Sequence, residues 1–175
     1  MITLNNFDIK LINKSSIKKI YQNIKISPYN IKTVDMPNIE ECKGFISDFS
    51  NVVNLKSLKK CLYFRCSSPI IDLPKLEYAG EINVTYSNTI YLPKLKIVKD
   101  ELWFNSAKEI YLYTLEEAQR ISCGNAKLLV IPKKFALEKL NDKKTFTINS
   151  DCEIVYTENY IKKESFSFKS FFSRN

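Results

Sequence analysis

Leu73-Pro-Lys-Leu-Glu-Tyr-Ala79 and, 19 residues later, Leu92-Pro-Lys-Leu-Lys-Ile-Val98 are two copies of one seven-residue frame. A period near 20 residues is the signature of a stacked repeat, because so short a unit cannot bury its own apolar edge and must bury its neighbour's. The frame continues in both directions. Its first apolar position falls on Met36, Leu55, Leu73, Leu92, Leu112 and Ile131, at steps of 19, 18, 19, 20 and 19. Three residues on stand Ile39, Leu58, Leu76, Leu95 and Leu115, and three further the slimmer Cys42, Cys61, Ala79, Val98 and Ala118. A narrow inner corner explains that restriction in size.

Two residues before each first position lies another apolar residue: Val34, Val53, Ile71, Ile90, Ile110 and Leu129. An apolar-x-apolar triplet is a half-buried strand with side chains alternating in and out. A second triplet falls in mid-repeat, at Leu62-Tyr-Phe64, Ile82-Asn-Val84, Leu102-Trp-Phe104 and Ile121-Ser-Cys123. Proline at 37, 74, 93 and 132 follows the last strand residue, where a missing amide proton costs no ladder bond. These patterns predict a mainly β repeat solenoid of about 19-residue period with two short strands per coil, a helical N-terminal cap and a short C-terminal helix. The Leu-Pro-x-Leu-x-x-Ala frame with its Ile-x-Val strand resembles the repeats of leucine-rich-repeat and receptor-L-domain-like solenoids over about residues 34–131. The resemblance implies ligand binding on an exposed strand face, since such families are mostly recognition scaffolds.

The chain divides into a basic N-terminal cap (1–33), the solenoid with its closing strands (34–156) and a Phe-rich basic tail (157–175). In the cap, Ser15 or Ser16 is placed to start a helix whose Ile17, Ile20, Tyr21 and Ile24 follow i, i+3, i+4, i+7 spacing. Beyond the repeats come a short helix with Phe135, Ala136, Leu137 and Leu140, and strands at Phe146-Thr-Ile148 and Glu153-Ile-Val-Tyr156. The tail carries Phe166, Phe168, Phe171 and Phe172, too much aromatic surface to leave in water. It is expected to pack on the solenoid, to mediate self-association with a second copy, or to dock on a foreign partner.

The chain contains no histidine, which removes Ser-His and Cys-His nucleophile activation and the commonest general base. Its three glycines, Gly44, Gly80 and Gly124, are too far apart to form a phosphate cradle. Adjacent acids at Glu40-Glu41, Asp100-Glu101 and Glu116-Glu117 point apart and read as solvated surface. The five cysteines, Cys42, Cys61, Cys66, Cys123 and Cys152, form no Cys-x-x-Cys pair and read as buried thiols rather than metal ligands. The expectation is a non-enzymatic protein without cofactor or metal. No apolar run approaches the roughly 20 residues of a membrane span, and the N-terminus has no signal-peptide pattern, so a cytoplasmic location is expected.

The net charge of +8 sits in the flanks. Residues 34–131 hold twelve basic and twelve acidic side chains, whereas residues 1–33 carry +5 and residues 132–175 carry +3. A protein tracking nucleic acid along its repeats needs a basic stripe on coil after coil, and this one lacks it. The leading expectation is therefore an adaptor or inhibitor that docks a protein on its strand face. If the middle residues of the triplets face outward, one ladder reads Tyr63, Asn83, Trp103, Ser122 and the other Asp35, Asn54, Asp72, Tyr91, Tyr111, Val130. Aromatic residues among small polar ones have the composition of binding hot spots. The candidate partner-binding residues are thus Tyr63, Arg65, Trp103, Asn105, Tyr91 and Tyr111, with mutual stacking as the structural reading of the two last. The alternative is an RNA or ribonucleoprotein binder, for example a phage or mobile-element inhibitor of the anti-CRISPR kind, contacting phosphates through Lys18, Lys19 and Lys25.

Overall fold

The structure, a computed structural model, describes residues 1–27, 31–136 and 146–157. It is a parallel β-solenoid of about seven coils. One eight-stranded parallel sheet runs its length in the order β1 (Ile2–Leu4), β2 (Lys19–Ile26), β4 (Glu41–Ser47), β6 (Lys60–Ser67), β8 (Tyr78–Thr85), β10 (Ile97–Trp103), β12 (Glu117–Cys123) and β14 (Phe146–Ile148). At about 4.8 Å per strand this ladder is roughly 34 Å long. The opposite side is made of short strands in two sheets. β3 (Thr33–Asp35), β5 (Val52–Asn54) and β7 (Ile70–Asp72) form the first, and β9 (Thr89–Tyr91), β11 (Glu109–Tyr111), β13 (Leu128–Ile131) and β15 (Glu153–Tyr156) the second.

Each coil is one long strand, one short strand and two turns, and the 19-residue frame explains every piece. The short strand ends just before the first frame residue, or on it in β13, and Met36, Leu55, Leu73, Leu92, Leu112 and Ile131 are all buried. A four-residue turn follows, closed by Leu58 N donating to Leu55 O (2.8 Å), Leu76 N to Leu73 O (3.3 Å) and Leu95 N to Leu92 O (3.3 Å). Pro37, Pro74 and Pro93 occupy the second turn position, where a fixed φ is pre-set for the bend and no amide proton is required. The second frame residues, Ile39, Leu58, Leu76, Leu95 and Leu115, then turn inward with at most 1% exposure. Cys42, Cys61, Ala79 and Val98 fill the next buried column, in register across β4, β6, β8 and β10. All five cysteines are free thiols, four of them buried.

The long strands bend. Cys42 and Phe45, Cys61 and Phe64, and Ala79 and Ile82 are buried pairs three residues apart, so the chain rotates between them and the sheet divides into a near wing and a far wing. Backbones press together at this bend: a Cβ on Gly80 would collide with the Leu62 carbonyl oxygen. On the far wing Phe45 stacks on Phe64, with ring centroids 5.4 Å apart and planes inclined by 12°. The second corner is lined by buried Ser50, Ser68, Ser87, Ala107 and Ala126. Ser68 Oγ donates to Ser50 O and Ser87 Oγ to Ser68 O, so the hydroxyls close a ladder along the axis.

The N-terminal cap is helical, but one segment earlier than the spacing of Ile17, Ile20, Tyr21 and Ile24 predicts. The helix α1 spans Asn6–Lys14, opened by a capping box in which Asn5 Oδ1 accepts from Phe7 N (2.8 Å) and Asp8 N (3.1 Å). Ser15 ends this helix, its N–H donating to Leu11 O and Ile12 O, rather than starting one. Residues 19–26 form β2 because Ile20 and Ile24 pair with β4 and Ile26 with β1 in the ladder, and that tertiary pairing overrides a helical spacing carried by β-branched residues. The ladder therefore begins ahead of residue 34. At the far end Lys133–Phe135 form a single 3-10 turn, and β14 and β15 stand where strands were expected. Leu137, Leu140 and the phenylalanines of the tail lie outside the described residues.

Candidate interaction surface

Alternation about the buried column Phe64, Ile82, Leu102, Ile121 fixes what the far wing shows to solvent. Two outward columns flank that column. One runs Asn23, Gly44, Tyr63, Glu81 and, beyond an irregularity in β10, Glu101 and Arg120. The other runs Lys25, Ile46, Arg65, Asn83, Trp103, Ser122 and Thr147. The mid-repeat triplets are thus out of phase at the third coil. Phe64, not Leu62, aligns with Ile82, Leu62 is 47% exposed, and Tyr63 stands beside Glu81 rather than Asn83. Arg65 takes the place in the Trp103 column that the triplet reading gave to Tyr63.

The structure brings four of the six predicted partner-binding residues to this face. Trp103, the lone tryptophan, is 40% exposed. Asn105 lies at the turn after it, its Oδ1 accepting from Ser122 Oγ at 3.1 Å. Arg65 Nε lies 3.4 Å from Asp48 Oδ1. The sequence reading missed the charged members of the surface. Arg120 reaches Asp100 Oδ1 (3.2 Å) and Glu101 Oε2 (3.9 Å). Partial burial, followed by the negative charges of Asp100 and Glu101, pushes the Glu81 carboxyl up, against the opposing pull of Arg120. Glu81 and Arg120 each immediately precede a buried member of the column, Ile82 and Ile121, and alternation about those two would have found them; the extra residue of β10, between Val98 and Leu102, hid the alignment of Glu101.

Tyr91 and Tyr111 sit on the opposite side, in β9 and β11, and are not brought near Trp103's column. Their rings meet edge to face at 6.2 Å, and Tyr113 lies 5.8 Å from Tyr91 and 6.0 Å from Tyr111. Tyr111 is buried, and its hydroxyl donates to Glu109 Oε2 at 3.3 Å. The expected ladder is interrupted between Asp72 and Tyr91, which fall in separate sheets, and Val130, expected to face outward, is buried; in the first sheet the register holds, with Asn54 Nδ2 donating to Asp35 Oδ1 at 2.7 Å.

The near wing is organised by charge. Lys18, Glu40, Lys59, Glu77, Lys96 and Glu116 form one column, linked coil to coil as each residue's N–H donates to the carbonyl of the one before. Its signs alternate without exception. Glu40 bridges Lys18 (3.0 Å) and Lys59 (2.8 Å), and these two ammonium groups hold its carboxyl down at about 2. Of the lysines expected to meet phosphate, Lys18 and Lys19 are therefore engaged by Glu40 and Glu41, while Lys25 is half-buried on the far wing. Comparison of the chain with protein-family models, with curated proteins and with solved structures gives no match. No helix among the described residues is long and apolar enough to cross a membrane.

Proposed function

We propose that this solenoid is a non-enzymatic, cytoplasmic adaptor or inhibitor that docks a protein partner on its far wing. The observation that carries the reading is Trp103, a large aromatic left in solvent in a regular column between Asn83 and Ser122, with Arg120 on the next strand and Arg65 and Tyr63 two strands away on the same face. Rigid aromatics and arginines amid small polar groups supply most of the binding energy at protein interfaces. Kinship with leucine-rich-repeat and receptor-L-domain solenoids, on the Leu-Pro-x-Leu-x-x-Ala frame, is part of the same proposal. The ribonucleoprotein alternative draws less support, because carboxylates neutralise Lys18 and Lys19.

Affinity capture from the lysate of the encoding organism tests both readings, with nuclease-treated and untreated arms and a Tyr63→Ala/Trp103→Ala variant. A partner that survives nuclease and binds the variant roughly 30-fold more weakly supports the far wing. Undiminished capture by the folded variant refutes it. Loss of the partner on nuclease treatment, together with sensitivity to Lys18→Gln/Lys19→Gln, shifts the site to the basic cap.

A further inference from the structure

On the near wing the outward residues of β2, β4 and β6 form a grid. Lys19 and Tyr21 are followed by Glu41 and Lys43, then by Lys60 and Leu62, with Lys19, Glu41 and Lys60 in direct register. Between them opens a hollow of about 300 Å³, floored by Ile20 and the buried Cys42. That volume is at the small end of ligand-binding cavities.

The charges of this hollow are unbalanced. Glu41 is engaged by Lys19 at 2.8 Å. The Lys60 ammonium lies 5.1 Å from the centre of the Tyr78 ring, and neither it nor Lys43 forms an ion pair among the described residues, so three lysines share the single carboxylate of Glu41. Lys43 and Lys60 are diagonal neighbours on adjacent strands, about 7–8 Å apart, a gap that two long side chains close onto one anion. Beside them Tyr21 is 82% exposed and Leu62 47% exposed, an apolar surface. Extended polyanions fit poorly, because Glu40 and Glu41 stand on the same wing. We propose that the hollow binds a small amphipathic anion, an aromatic ring bearing a carboxylate, sulfonate or phosphate. Its acidic group lies between Lys43 and Lys60 and its ring against Tyr21 and Leu62. This site is separate from the far wing and stands whether or not a protein docks there.

The experiment is an amide-resolved NMR titration of the full chain with sodium naphthalene-2-sulfonate. Neutral naphthalene-2-methanol and inorganic phosphate serve as the ring-only and charge-only arms. Saturable shifts confined to the strands around Tyr21, Lys43 and Leu62, produced by the sulfonate alone, are expected. A Lys43→Gln/Lys60→Gln variant should raise the half-saturation concentration roughly tenfold, the effect of removing two exposed ionic contacts. Both side chains are exposed, so the variant should keep the wild-type spectrum elsewhere. The proposal is overturned by the absence of saturable shifts, by equal shifts with the alcohol or with phosphate, or by unchanged half-saturation in the variant.

Discussion

Replacing Leu62 and Phe64 by alanine, one at a time, tests the phase of the long strand directly. The two lie two residues apart on β6, and the triplet reading buries both, whereas the structure buries only Phe64. Phe64 is fully enclosed and stacks on Phe45, in a wall held at fixed spacing by the ladders on either side. Such a wall cannot collapse to fill the space, so Phe64→Ala should cost about 3–5 kcal/mol, including the lost ring contact. In a chain of this size each kcal/mol moves Tm by about 2–4 °C, which predicts a fall of roughly 6–20 °C. Leu62→Ala removes a side chain that is 47% exposed and should stay within about 0.5 kcal/mol, or 1–2 °C. Thermal and urea unfolding followed by circular dichroism read both. Similar losses for the two variants, or a larger one for Leu62, would refute the assigned phase and with it the pairing of Tyr63 with Glu81.

Three further outcomes are expected. Because two lysines hold the Glu40 carboxyl below its ordinary range, the stability it contributes is complete above about pH 4.5 and disappears as pH falls towards 2. Glu40→Gln should therefore flatten the acid limb of the urea midpoint across that window, and an unchanged limb would contradict the pairing. Burial pushes the Cys66 and Cys123 thiols up to about 12, while Cys152 is only half-buried, so an aromatic disulfide reagent at pH 8 should label Cys152 first and the others at the rate of unfolding; rapid labelling of several thiols in the native protein would count against the packing. Tyr86 holds φ at 69° with its ring 73% exposed, so Tyr86→Gly should raise stability by up to about 1 kcal/mol, and a loss would show that the ring is held by contacts.

The inner walls were legible in the sequence because burial there repeats at one interval. Met36 through Ile131, Ile39 through Leu115 and Cys42 through Val98 all face inward as their spacing requires. The far wing was harder to read. Its register depends on one extra residue in β10 and another in β2, and bulges leave no mark in apolar periodicity. The serine corner was equally visible in principle, since Ser50, Ser68 and Ser87 recur at 18 and 19 residues, but small polar residues read as surface turns until their burial is seen. The cap helix was misplaced because Ile17, Ile20 and Ile24 satisfy a helical spacing, while the strand that claims Ile20 and Ile24 pairs them with Cys42 and Phe45, a full coil further along the chain. The aromatic candidates divided for a related reason: which side of the coil a residue occupies follows from the corners, and sequence alternation alone does not give it.

The alternating column of Lys18, Glu40, Lys59, Glu77, Lys96 and Glu116 imposes a parity on the molecule. Excising two coils together, residues 59–95, would leave Glu40 against Lys96 on a shortened stack and keep the signs opposed. Removing a single member's coil would set Glu40 beside Glu77, or Lys59 beside Lys96, and duplicating one would do the same. Solenoids lengthen and shorten by copying whole repeats. This one can do so without creating a like-charged seam only in steps of two coils, so its natural unit of growth is a pair of about 38 residues, twice the period that its sequence displays.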